Sequence, residues 1–101
     1  MKTYYAVIFI STLYERTDEY EDMAKRMEQL AEQQPGYLGL DSVRSEIGIT
    51  VSYWEDLNAI RNWKSNIDHL NAQRIGKEKW YRSYKVRICR VEKEYFFENN
   101  K

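Results

Sequence analysis

A chain of 101 residues is long enough for one hydrophobic core and too short for two. With 43% hydrophobic and 32% charged residues it is too apolar to stay disordered and too charged to span a membrane. Sixteen basic and sixteen acidic residues cancel and interleave, as in Glu15-Arg16 and Lys77-Glu78-Lys79, which argues against nucleic acid or an anionic lipid surface as partner.

The first segment, Met1-Lys2 followed by the apolar residues 4–10, imitates a secretory signal. The run is short, no small-residue cleavage site follows, and Glu15-Arg16 arrive at once, so it reads as a strand and the expected location is the cytoplasm. Residues 4–12 are apolar in both parities (Tyr5, Val7, Phe9 against Ala6, Ile8, Ile10), the pattern of a strand in the middle of a sheet. Asp18 with Glu21 resembles a capping box, and Tyr20, Met23, Met27 and Leu30 then recur with helical period until Pro35-Gly36 ends the helix near Gln33. Residues 37–45 and 49–54 are two short strands around Glu46-Ile47-Gly48, read as a turn in which glycine supplies the backbone angle. Asp56 caps a second helical stretch carrying Leu57, Ile60 and Trp63, with a break near Asn66 and a second piece to about Ser83 that Gly76 weakens. Residues 84–97 form a long closing strand, and 95–101 a C-terminal arm or tail. Cys89, the lone cysteine, reads as a reduced, inert thiol.

The order β-α-β-β-α-β within one domain, 1–101, predicts an α+β ferredoxin-like fold with an antiparallel sheet. Both helices then cover one face of that sheet. The other face is expected to carry Leu38, Leu40, Val43, Val51, Tyr53 and Trp54, too apolar for a monomer, which predicts a homodimer.

Ring and amide side chains concentrate between Tyr53 and Tyr84: Trp54, Trp63, Trp80, His69, Asn62, Asn66 and Gln73. On a helix, His69, Gln73, Gly76 and Trp80 share one face. No phosphate-binding loop, nucleophile elbow or paired metal-ligand spacing is present, so the expectation is no metal.

The segment Val51-Ser52-Tyr53-Trp54-Glu55-Asp56-Leu57, then Ile60, Trp63-Lys64 and His69, then Gly76 through Trp80-Tyr81 into a strand ending Arg90-Val91, resembles the antibiotic-biosynthesis monooxygenase family. The resemblance covers essentially the whole chain and implies a dimeric α+β barrel made of two ferredoxin-like domains. Some members of that family oxygenate polycyclic phenols without metal or flavin, and others degrade haem. The haem degraders place an axial histidine ten residues after the tryptophan that matches Trp63, where this chain has Gln73, and an asparagine in the first strand, where residues 4–12 hold none. The resulting expectation is a cofactor-independent monooxygenase acting on a small aromatic or electron-rich molecule with O2. His69 is the base, Gln73 and Asn62 orient the substrate, and Trp63, Trp80, Phe9 and Tyr5 form walls. The alternatives are a non-catalytic homodimer that holds a small ligand and, further off, a haem-binding or haem-degrading protein.

Overall fold

The computed structural model describes residues 2–66, 71 and 73–100. Four antiparallel strands, β1 (Tyr4–Leu13), β2 (Tyr37–Arg44), β3 (Gly48–Trp54) and β4 (Tyr81–Val91), form one sheet in the order β2-β3-β1-β4. Helices α1 (Asp18–Glu32) and α2 (Leu57–Lys64), followed by a π-helical turn at Gly76–Trp80, pack on one face. This is the ferredoxin-like α+β arrangement. No helix among the described residues is long and apolar enough to cross a membrane.

The register explains the two-sided apolar first strand. β1 is paired on both sides, with Tyr5, Val7, Phe9 and Ser11 opposite Trp54, Ser52, Thr50 and Gly48 of β3, and opposite Arg90, Ile88, Val86 and Tyr84 of β4. Tyr5 and Val7 pack under the helices against Ala31, Trp54, Ala59, Ile60 and Trp63, which form the core. By alternation Ala6, Ile8 and Ile10 lie on the opposite face, beside Ile49, Val51 and Tyr53.

Several boundaries differ from those expected. Thr17, not Asp18, caps α1: its extended backbone lets Oγ1 accept from the Tyr20 N–H at 3.1 Å. Asp56 caps α2 as expected, accepting from Ala59 N–H at 2.8 Å. Gly48 belongs to β3 and has no positive φ; the left-handed glycine is Gly36, at φ 85°, directly after Pro35. β4 runs from Tyr81 to Val91, starting and ending earlier than the expected 84–97. Residues 92–100 form no helix or strand, and Tyr95, Phe96 and Phe97 are exposed.

Trp54 and Leu40 do not lie on the open face. Trp54 is wholly buried beneath the helices, its indole stacked on Trp63 with centroids 6.0 Å apart and met edge-on by Tyr37, and Leu40 also faces the helices. Alternation along the paired strands places them there: Trp54 is opposite Tyr5, and Leu40 is opposite Ser52, which is in turn opposite Val7, all on the helix-covered face.

Candidate functional site

Between the helices and the helix-covered face of the sheet lies a half-enclosed cavity of about 190 Å³. The sheet supplies a floor of Val7, Phe9 and Thr50; α1 contributes Tyr20 and Met27, α2 contributes Ile60 and Trp63. Gln73, Trp80, Tyr81 and Tyr84 close the remaining side. The cavity exists because the residues facing the helices change size along the strands. Bulky Trp54 fills the Tyr5 end, whereas the smaller Ser52, Thr50 and Gly48 leave room toward Ser11.

Two groups of rings bound it. Trp63, held by its stack on Trp54, belongs to one. The other joins Phe9, Tyr84 and Tyr81: Phe9 stacks on Tyr84 at 5.3 Å and meets Tyr81 edge-on at 5.5 Å, and Tyr20 meets both Tyr81 and Trp80 edge-on. Gly76 makes that second group possible, since a Cβ there would stand 2.6 Å from the Tyr81 ring. Burial pushes the Tyr81 phenol well above its ordinary value, with further contributions from Tyr20 and a smaller opposing one from Arg44. Tyr81 therefore stays a neutral hydroxyl throughout the working pH range.

Two cations reach this ring group, Lys77 with its Nζ 5.9 Å from the centre of the Tyr84 ring, and Arg44. Arg44, at the end of edge strand β2, is paired with Gly48, and Gly48 with Ser11. Its side chain crosses over Gly48 to donate from Nη2 to Ser11 Oγ, with its Cζ 5.4 Å from the centre of the Tyr20 ring. A Cβ on Gly48 would meet the guanidinium, so a larger residue there would displace the arginine side chain; the glycine gives space and not backbone angle.

Of the residues singled out from sequence, Phe9, Trp63, Gln73 and Trp80 come together on this cavity. Asn62 and Tyr5 do not. Asn62 is exposed on α2, and Tyr5 packs into the core against the Trp54 group. His69 lies outside the described residues. Sequence reasoning missed Tyr20 and Arg44. Tyr20 could have been found from the helical period that places it over the sheet; Arg44 only from its pairing with a glycine, which the sequence does not display.

A model of the antibiotic biosynthesis monooxygenase family matches residues 3–75, a span that holds Phe9, Arg44, Trp63 and Gln73. The chain belongs to that family. The uncharacterized protein YqjZ of Bacillus subtilis is 44% identical over 99 residues, covering 96% of this chain and 87% of that protein. Among solved structures of similar fold, a variant of SnoaB from Streptomyces nogalater, a cofactor-independent oxygenase, gives a TM-score of 0.76 at 13% identity over 93% of this chain and 97% of that one. Rv0793 from Mycobacterium tuberculosis gives 0.73 at 13% identity, over 97% and 99%. At such identities the likeness is one of fold. In this family member the wall formed by Trp80, Tyr81 and Tyr84 lies beyond the matched span.

Proposed function

We propose that this antibiotic biosynthesis monooxygenase family member is a homodimeric oxygenase that uses no cofactor and oxidises a small, electron-rich aromatic molecule with O2. The observation that carries the proposal is the ring-walled cavity of about 190 Å³. Since a protein cavity of about 150 Å³ holds benzene, this one suits a single ring or a small fused pair. SnoaB, similar in fold, is described as a cofactor-independent oxygenase, which supports the same chemistry here.

Such a reaction asks three things of the chain: a base to ionise the substrate, donors to hold the anion, and a dry cavity that admits O2. The substrate supplies every electron. An activated CH2 becomes C=O as its two hydrogens leave; one oxygen atom enters the product and the other departs with those hydrogens as water. Trp63, Phe9 and Trp80 hold the ring plane, and Gln73 orients a substrate oxygen. His69, four residues before Gln73, is the proposed base, because an imidazole titrates near 6.5. The partner is a second copy, seated on the open face that carries Ile8, Ile10, Ile49, Val51 and Tyr53.

Oxygen uptake by metal-stripped protein, measured against a panel of one- and two-ring phenols with an activated CH2, tests the reaction. Uptake equal to product formed is expected, and His69→Gln should lower the rate by roughly 10² to 10⁴ with the fold intact. Saturable binding across the panel without oxygen uptake would overturn the enzymatic reading in favour of a ligand-binding dimer.

A further inference from the structure

Arg44 is a half-buried guanidinium at the wall of an otherwise ring-lined cavity. Among the described residues no carboxylate forms an ion pair with it; Glu21 is near enough for the two charges to interact, and the guanidinium donates to a neutral hydroxyl, Ser11 Oγ. A guanidinium has five N–H donors, so this arrangement uses a fraction of its capacity. The side chain is nevertheless held firmly. Ser11 fixes one nitrogen, the Tyr20 ring covers one face, and Gly48 is stripped of its Cβ to let the group pass. A placement of that kind suits a group waiting for an anion from outside the chain.

The other charged groups lining the cavity are Glu28 on α1 and Lys64 on α2. Lys64 is exposed at the end of α2, whereas Arg44 is anchored on Ser11 of β1.

We propose that Arg44 is an oxyanion-binding residue, and that the cavity takes a planar aromatic ligand bearing a carboxylate or an ionised hydroxyl whose oxygen rests on the guanidinium in the notch above Gly48. The ligand's ring then lies over Phe9 and Val7, toward Trp63. The inference rests on the reading of the cavity as a substrate site and narrows the substrate to an anion. For a phenol, the bound form is the ionised one that the proposed oxidation begins from, so Arg44 would hold the charge that the base creates.

Calorimetric titration of the full chain at neutral pH with 2-naphthoate, pentafluorophenolate and the neutral 2-naphthalenemethanol tests this. Either anion should bind about tenfold or more tightly than the alcohol, the preference expected of a charge-assisted hydrogen bond, and which anion binds tighter identifies the headgroup. Arg44→Gln should erase the preference while the alcohol still binds, Arg44→Lys should retain part of it, and Lys64→Gln should leave it unchanged. Gly48→Ala keeps the arginine but fills its notch, and should also lose the preference. Equal binding of anions and alcohol by the unaltered protein, or a preference that survives Arg44→Gln or disappears in Lys64→Gln, overturns the assignment of Arg44 but not of the cavity. Failure of all three to bind overturns both.

Discussion

Trp54 illustrates how much one buried side chain decides. Its indole fills the end of the sheet that the cavity does not occupy, stacks on Trp63, and donates its N–H to Ser52 Oγ at 2.8 Å. Ser52→Ala leaves that N–H unpaired in the core and should lower stability by about 1 to 3 kcal/mol, read as a lower urea midpoint at unchanged slope. An unchanged midpoint would mean the indole finds another acceptor. The sequence misplaced Trp54 because β2 and β3 are apolar in both parities, and period alone cannot say which parity faces the helices. Arg44 was illegible for a different reason. Nothing in Val43-Arg44-Ser45 separates it from an ordinary surface arginine, and its role comes from two cross-strand pairings that carry it over Gly48 to Ser11. Phe9, Trp63, Gln73 and Trp80 were legible, since large rings and an amide at helical or strand spacing near a core declare a wall.

At the scale of elements, type and order were readable and ends were not. The change from π-helical turn to strand between Trp80 and Tyr81 carries no proline and no glycine at the junction, so no local signal marks it. The tail past Val91 reads as strand by composition, yet forms no strand in a single chain. The open face of the sheet was expected to be apolar and is so in part: Val43 and Ile49 are exposed, while Lys85 and Arg87 of β4 lie on the same side. Pairing of two such faces predicts sedimentation at twice the 12.3 kDa chain mass at micromolar concentration, through an interface above about 1,000 Å². Ile10→Glu, at the centre of that face, should shift the protein to monomer. A monomer before the substitution would remove the second copy from the account.

For the molecule as a whole, the fold gives the cavity its shape by a division of labour along the strands. One end is closed by stacked indoles and becomes core, and the other is opened by serine, threonine and glycine beneath α1 and becomes the cavity. Membership of the antibiotic biosynthesis monooxygenase family and the ring-lined space point to the same use. The most direct test is a crystal soaked with 2-naphthoate. Density for the ring should appear between Trp63 and Tyr84 in every subunit, with the carboxylate turned toward Arg44. Ligand bound only outside the cavity at saturating concentration, or side chains closed over the space so that none enters, would contradict the account.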